Sequence, residues 1–307
     1  MTVAAMLPRW KLDNPLVAAG CVALGVLLFA TQDMMSKVLI VDYSAFEIAW
    51  VRYGINTILL IPFILRSRGH MLRTRMPVTQ VVRSLAVSAS AVLFMSALAY
   101  LPQPEATAIS FLSPLLVTAL SIPLLKEKVG VRRWTAVAIG FVGMLVVVRP
   151  GGQAFQLAAL LPTASATCWA LSLILTRRLS DSDPGLTTLT YSTIIPASLL
   201  TIILPFVWTT PHARSILLML AMGVVSILAQ YMTILGYSQR PASSLAPITY
   251  SQLIWASMYG YLVFDALPSP WTWMGAAIIM VSGLYTFRRE RIVRANRVPA
   301  PAADPAA

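Results

Sequence analysis

Two ionised side chains interrupt the first long apolar run of the chain. Asp33 and Lys37 lie in the stretch FATQDMMSKVLIV, near the end of a run that extends over residues 16–41. An ionised side chain at the centre of a bilayer costs about 2.5 to 3.5 kcal/mol on insertion scales. Such side chains within membrane spans usually mark the pathway of a substrate or an ion. The two charges therefore indicate a polar site inside a membrane protein.

The next apolar run carries the opposite charges at matching depths. Asp33 and Arg52 each lie eight residues from the predicted turn between the two helices, roughly 12 Å at 1.5 Å per residue. Lys37 and Glu47 lie four and three residues from it. Because a short turn makes the two helices adjacent and antiparallel, the depths predict the pairs Asp33–Arg52 and Lys37–Glu47. The pairs either fix the hairpin or line a wet cavity that binds a substrate or a coupling proton.

Polar and aromatic side chains in the later runs extend the candidate site. Pro114 frees a backbone carbonyl near mid-membrane, which needs a cavity or a neighbour, although a kink for packing would also explain the proline. Trp169 offers the aromatic face that a flat ligand would need. The candidates for substrate or coupling-ion binding are Asp33, Lys37, Glu47, Arg52, Ser113, Pro114, Trp169, Gln230, Tyr250 and Gln252.

Two more charges lie near the ends of their runs. Arg83 is five residues into the third run, where its long side chain can reach lipid phosphate. Glu105 follows Pro104 at the start of the fourth run, where an acid complements a helix N-terminus. Both therefore have structural explanations.

The composition is that of an integral membrane protein. The chain has 307 residues, of which 58% are hydrophobic and 11% are charged, whereas soluble domains carry about 25% charged residues. The net charge of +12 is spread in short clusters between apolar runs, which is typical of topology signals and not of nucleic-acid binding. The lipid bilayer is the expected partner, and no nucleic acid is expected.

Motifs for metal, nucleotide or enzymatic chemistry are absent from the sequence. The two histidines lie in separate loops, and neither an HExxH, a CxxC nor a Walker A motif occurs. The two cysteines fall in apolar runs and are expected to be small buried residues instead of a disulfide. We therefore expect no metal site, no cofactor and no direct use of ATP. An intramembrane enzyme would also need a reactive constellation that the spans lack.

Ten apolar runs are long enough to cross a bilayer as helices. They lie at 16–41, 44–65, 78–100, 104–125, 133–149, 155–176, 185–208, 215–238, 242–264 and 271–287. With the N-terminus inside, eighteen of the 23 basic residues fall in inside segments and two in outside loops. This bias predicts that both termini are cytoplasmic and that the protein lies in the cell (inner) membrane.

The sequence also repeats, with the second copy inverted. At an offset of about 138, Glu105 aligns with Ser243 and Ser113 with Ser251. Because each copy has five spans, the second enters the membrane upside down, and the basic bias of the loops flips accordingly. Such repeats place a substrate site where the halves meet. The predicted divisions are a cytoplasmic N-terminus, two five-helix repeats and a disordered cytoplasmic tail, at 1–15, 16–149, 150–288 and 289–307.

Two stretches resemble a known family. The layout, with ALAYLPQPEATAISFLSPLLVTALSIPLLKEKVGVRRW and TWMGAAIIMVSGLYTF, is similar to the EamA branch of the drug/metabolite transporter superfamily. FATQDMMSK and WVRYG further resemble the subgroup of uptake carriers for S-adenosylmethionine and riboflavin. The second copy departs from the pattern, because Gln252 stands where Pro114 stands in the first, and Asp265 replaces the usual glutamate.

The resemblance and the repeats together predict a secondary transporter and not an enzyme. A small organic metabolite would cross by alternating access of the two halves around a midplane site, with Asp33 as the group that could couple transport to protons. An exporter or uniporter of the same fold, for an amino acid or a vitamin, is the alternative, and a non-transporting sensor is a more distant one. A homodimer stays open as an assembly state. The expected fold is all-α, with ten transmembrane helices in two inverted five-helix repeats.

Overall fold

The computed structural model of the chain is helical throughout the residues that it describes. These are residues 15–67, 69–125, 131–149, 157–180, 182–239, 245 and 248–295. The helices are α1 (Pro15–Leu39), α2 (Ala45–Arg66), α3 (Pro77–Tyr100), α4 (Gln103–Ser110), α5 (Ser113–Leu125), α6 (Val131–Val148), α7 (Leu160–Ser180), α8 (Gly185–Ile203), α9 (Ala213–Gln239), α10 (Gln252–Phe264) and α11 (Pro270–Ala295). Within the described ranges, seven helical segments are long and apolar enough to cross a membrane, and Trp134–Val148 is a shorter apolar helix.

The apolar runs predict most helix limits to within a few residues, and local chemistry sets the ends. Ser44 starts α2, and its Oγ accepts a hydrogen bond from the Glu47 backbone N–H at 3.2 Å. Pro77 opens α3, where its missing N–H costs nothing. The last helix was predicted to end at 287 but continues to Ala295, so part of the segment predicted as a disordered tail is helical. The rest of that segment, 296–307, and most of the N-terminal segment, 1–14, lie outside the described residues.

The fourth predicted span is two helices instead of one. The chain turns at Phe111 and Leu112, so that α4 ends at Ser110 and α5 begins at Ser113. The second half breaks at the matching place, because Tyr250 and Ser251 form a turn immediately before α10. Pro114 suits the first turn of α5, but Gln252 holds the equivalent place in the second half. The break therefore does not require a proline at this position.

The helices of the two halves pack mainly on each other. The largest contact regions join α1 to α9, α3 to α7, and α6 to α11, and α2 packs on α8. Under exchange of the two halves, α1 corresponds to α7 and α3 to α9, so the α1–α9 contact becomes the α7–α3 contact. The same exchange turns the α2–α8 pair and the α6–α11 pair into themselves. This is the pattern expected of two inverted copies around a pseudo-two-fold axis.

Glycines bring α6 and α11 close together. A Cβ at Gly143 would lie 2.9 Å from the backbone oxygen of Gly275. Ser282 on α11 donates its hydroxyl to the backbone oxygen of Ala136 on α6. Small residues permit such close approach in membranes, where apolar burial alone does not distinguish protein from lipid.

For reference, the bundle has two ends. The terminal face holds the start of α1, the end of α11, and residues 69–76 and 182–184. The far face holds residues 40–44, 101–102, 207–212 and 265–269. These names carry no statement about which side is cytoplasmic.

Candidate functional site

A buried carboxylate joins the two halves inside the bundle. Asp33 on α1 is 8% exposed. Its Oδ2 accepts a hydrogen bond of 3.2 Å from Nε2 of Gln252, the first residue of α10, and its Oδ1 accepts one of 3.4 Å from Nε2 of Gln32. The broken helix of the second half thus begins at an acid of the first half. Both bonds are long for a charge-assisted hydrogen bond, so the carboxylate retains acceptor capacity for a ligand.

Arg52 lies near Asp33, as the matched depths predict, but the two side chains form no direct ion pair. The Arg52 guanidinium lies 4.7 Å from the centroid of the Tyr53 ring. It is 9% exposed and acts on the Asp33 carboxylate through space. The site therefore holds an acid and a base near each other that are not locked together, which suits a ligand with polar groups of its own.

The predicted pair Lys37–Glu47 does not form either. Lys37 Nζ donates to the backbone oxygens of Leu98 and Leu101 at 3.0 and 2.6 Å. These carbonyls end α3, where a cation is favourable. Glu47 Oε2 accepts from the backbone N–H of Thr209 at 3.2 Å. Each charge therefore supports a helix end or a loop at the far face.

The position of α9 explains why neither direct ion pair forms. α1 packs chiefly on α9, which also packs on α2. A helix of the second half is therefore inserted between two helices that a short turn was expected to hold side by side. Depth along each helix can be read from the sequence, whereas the neighbour that a helix faces cannot.

Aromatic side chains meet where the two broken helices turn. The rings of Phe111 and Tyr250 pack edge to face with centroids 5.1 Å apart. Gly283 on α11 makes room for the Tyr250 hydroxyl, because a Cβ there would overlap it. The two breaks are therefore parts of one structure at the contact of the halves. Tyr250 is a predicted site residue, and Phe111 is an additional one.

The remaining predicted residues lie at different distances from this contact. Ser113 and Pro114 open α5 directly after the first break and are half-buried. Gln230 on α9 is half-buried, and its amide makes no hydrogen bond to another residue that the structure describes. Trp169 on α7 is 42% exposed, the largest exposure among the ten candidates.

Sequence reasoning missed several polar neighbours of the site. Asn56 lies one turn after Arg52 and donates to Ser226 on α9 at 3.3 Å. Thr31 and Tyr259 share a hydroxyl hydrogen bond of 2.7 Å between α1 and α10. The side-chain oxygens of Gln32 and Asn56 are buried without a partner in the described part of the chain. The spacing of four residues between Arg52 and Asn56 was the available signal.

A second buried acid joins the halves at the terminal face. Asp183, which precedes α8, is 6% exposed. It accepts hydrogen bonds from the Arg75 backbone N–H at 2.9 Å, from Gln80 Nε2 at 2.8 Å and from the Thr74 hydroxyl. Burial raises the pKa of Asp183, but these hydrogen bonds and the Arg75 charge outweigh it and hold the pKa below its ordinary value.

Arg83 binds protein and does not extend toward the lipid surface as predicted. Its Nε donates to the Thr176 hydroxyl at 2.9 Å, and its NH1 donates to the Thr188 carbonyl and the Ser192 hydroxyl. These partners lie on α7 and α8 of the second half. Arg83 is thus a further structural contact between the halves, near Asp183.

Metal chemistry has no visible basis in the described residues. Within those ranges no group of three or more histidine, cysteine, aspartate or glutamate side chains is placed to hold a metal ion. Cys21 and Cys168 are both free and half-buried.

Comparison with known proteins agrees with this geometry. The sequence profile of the EamA-like transporter family matches residues 16–149 and 156–288. A riboflavin transporter of Vibrio cholerae is 31% identical, over 88% of this chain and 92% of its own length. An S-adenosylmethionine uptake transporter of Rickettsia bellii is 25% identical, over 92% of this chain and 97% of its own. A crystal structure without a functional name has the same fold, with a TM-score of 0.61 at 20% identity over 90% of this chain and 98% of that one.

Proposed function

The chain belongs to the EamA-like transporter family, and from this membership and the geometry at Asp33 we propose how it transports. It is a membrane transporter with ten transmembrane helices in two inverted repeats, and it moves a small organic molecule. Our proposal is that the substrate site lies where α1 of the first half meets the start of α10 in the second.

One observation carries the proposal. The Asp33 carboxylate is buried, spans the contact between the halves, and is held by two amide donors at 3.2 and 3.4 Å. Discontinuous helices at membrane depth are tolerated where their free backbone groups face protein or a wet cavity. The unpartnered oxygens of Gln32 and Asn56 support a polar cavity at this place. The proposed site comprises Asp33, Arg52, Gln230, Tyr250 and Gln252.

We take residues 16–149 and 150–288 as the repeats that move against each other. In alternating access the two halves rock around the site and open it to one side at a time. Asp33 is the proposed coupling group, because loss or gain of its proton changes its attraction to both Arg52 and a bound substrate. Ser113 and Pro114 contribute the first break, and Lys37 and Glu47 hold the far-face loops. Trp169 would contribute an aromatic face only in a state in which α7 lines the cavity.

The substrate is proposed from the relatives. S-adenosylmethionine and riboflavin are the two compounds to test first, because they appear in the names of relatives that this chain matches over most of its length. We propose uptake as the direction. We also propose that the terminal face is cytoplasmic, since the basic residues gather there, and that the membrane is the inner membrane.

The direct test is transport in proteoliposomes. Purified protein is reconstituted, and uptake of labelled S-adenosylmethionine and of labelled riboflavin is followed with and without an inward proton gradient. We expect one compound to accumulate and the Asp33→Asn variant to lose most of the uptake. Asp42→Asn is the matched control, because Asp42 is an exposed acid in the loop after α1.

Two outcomes would contradict the proposal. Equal uptake by the wild type and the Asp33→Asn variant would show that Asp33 is not part of the substrate site. If the variant transports less but keeps the pH dependence of the wild type, Asp33 binds substrate and the proton-coupling part is wrong.

A further inference from the structure

Two hydrogen bonds join the halves at the far face, around the start of α2. Glu47 Oε2 accepts from the backbone N–H of Thr209, and the Tyr43 hydroxyl accepts from the backbone N–H of His212, both at 3.2 Å. The acceptors belong to the first half, and the donors lie in the 207–212 loop of the second half. Both bonds must break before the halves can separate at this place. We call this contact the far-face gate.

The terminal face carries the equivalent contact under exchange of the halves. Tyr43 lies two residues before α2, as Asp183 lies two residues before α8. Each binds a backbone N–H in the loop before the third helix of the other half, at His212 and at Arg75. Asp183 receives three donors, whereas Glu47, the acid of the far-face gate, receives one from the protein. The two contacts thus differ in how completely the protein satisfies their acid.

The Glu47 carboxylate is buried with one oxygen unsatisfied. The residue is 0% exposed, and its Oε1 has no hydrogen-bond partner in the described part of the chain. A glutamate at this position usually turns back to the backbone of the cap residue, here Ser44, but Glu47 extends to Thr209 instead. An ionised carboxylate buried in this way is far less stable than the neutral acid, and the preference of a helix start for an anion is the smaller effect. The closed gate therefore favours a protonated Glu47.

Neighbouring charges do not offset this preference. The titratable side chains on the helices and loops around the gate are Lys37, Asp42, Tyr43, Arg52, His212 and Arg214. α3 carries its charged side chain, Arg83, toward the other end, and α8 carries none. Lys37 is bound to the carbonyls at the end of α3. Over the ranges that the structure describes, none of these charges acts on the Glu47 carboxylate through space.

We propose that Glu47 is a protonation switch of the far-face gate. With its proton, the acid stays buried and the halves remain in contact. When the proton passes to water at the far face, the carboxylate favours the separated halves, in which water solvates it. The inference rests on the proposed function only for the claim that this gate admits substrate to Asp33. Because the proton returns to the side from which it came, Glu47 sets the gate and adds nothing to coupling at Asp33.

The test measures the gate itself and needs no substrate. Spin labels are placed on Val41→Cys, at a position that is 81% exposed, and on Thr210→Cys, also at an exposed position. The full chain, with Cys21 and Cys168 replaced by alanine, is studied in lipid nanodiscs by pulsed electron paramagnetic resonance. The pH is varied from about 5 to about 9, the range over which buried glutamates release their proton.

We expect a short distance between the labels at low pH and a growing population with a longer distance as the pH rises. The state that binds the proton more tightly gains population at low pH, and that state is the closed gate. Glu47→Gln is neutral at every pH and should keep the short distance throughout. Glu47→Met, neutral and of similar length, replaces it if the glutamine variant does not elute as a monodisperse protein.

Two control variants separate Glu47 from its titratable neighbours. Asp42→Asn changes an exposed acid in the same turn and should retain the full pH response. His212→Gln removes the side chain that ordinarily titrates near neutral pH but keeps the backbone N–H that binds Tyr43. It should therefore retain the response as well.

Three results would overturn the proposal. They are a distance in the wild type that does not change with pH, a pH response that persists in the neutral Glu47 variants, and a response that is lost in His212→Gln. If the gate responds as expected but no compound is transported in proteoliposomes, the proposed function fails and the switch stands. Transport through a gate that is indifferent to pH would contradict this inference alone.

Discussion

Asp33 and Asp183 are two of the buried acids that join the halves of the molecule, and they are bound in opposite ways. Asp183 at the terminal face receives three donors, including a backbone N–H at 2.9 Å. Asp33 within the bundle receives two side-chain amides at 3.2 and 3.4 Å and faces a base that it does not touch. The first carboxylate is satisfied by the protein, whereas the second has capacity left for something else. Buried charge alone therefore does not identify the site, and the long hydrogen bonds of Asp33 are the feature that favours it for ligand binding.

The largest expected effect is on the transport rate, and it distinguishes Asp33 from Asp183. Asp33→Asn should lower the uptake rate about 10- to 100-fold, because one charge-assisted contact is worth about 1.5–3 kcal/mol. Its thermal unfolding should change little, because one glutamine amide can turn over so that its oxygen accepts from the new asparagine NH2. Uptake in proteoliposomes and a thermal melt of the same preparations measure both quantities. A stable Asp33→Asn variant with full uptake would contradict the proposal that Asp33, unlike Asp183, acts in transport.

At the terminal face we expect the opposite result, a loss of stability with little change in transport. Asp183→Asn should lower the free energy of unfolding by about 1–3 kcal/mol, because three buried donors lose their charged acceptor. The uptake rate per folded molecule should stay within about twofold of the wild type, a loss of less than about 0.5 kcal/mol. Gln80→Ala removes one of the three donors and should cost less. A fully stable Asp183→Asn variant would show that the contact at this face contributes nothing.

The pH dependence of stability sharpens the comparison at Asp183. Because hydrogen bonds hold its pKa below the ordinary value of 3.8, the folded state favours the carboxylate. The stabilisation is present above that value and is lost as the pH falls through the lower pKa of the folded protein. The difference in melting temperature between the wild type and Asp183→Asn should thus persist from neutral pH to about pH 5 and shrink near pH 3. A difference that is constant over this range would contradict the assignment.

A smaller effect distinguishes the two helix breaks. Gln252→Ala removes the bond to Asp33 and should lower uptake about three- to tenfold, as expected for about 1 kcal/mol. Pro114→Ala at the equivalent place should change uptake by less than about twofold, because the second half forms its turn with a glutamine at this position. Equal losses in the two variants would mean that the backbone break, and not the glutamine, is what matters.

The sequence predicted the helical membrane fold, but not the contacts of Asp33. The span lengths follow from bulk chemistry, and they predicted most of the described helix limits to within a few residues. Asp33 with Arg52 and Lys37 with Glu47 form no direct ion pairs because α9 intervenes between α1 and α2, although Arg52 still acts on Asp33 through space. In lipid a helix is apolar on every side, so the pattern does not tell which face meets protein. The break before Ser113 was missed because a turn does not lower the hydrophobicity of an apolar run.

The most direct test of the central claim is whether the start of α10 lines a wet site that the substrate occupies. A single cysteine at Gln252, in a chain whose Cys21 and Cys168 are replaced by alanine, is treated with a membrane-impermeant maleimide. Val263→Cys, exposed on α10, is the control. The account predicts labelling at 252 that the transported compound slows and labelling at 263 that it leaves unchanged. A cysteine at 252 that never reacts, or that reacts equally with and without the compound, would contradict it.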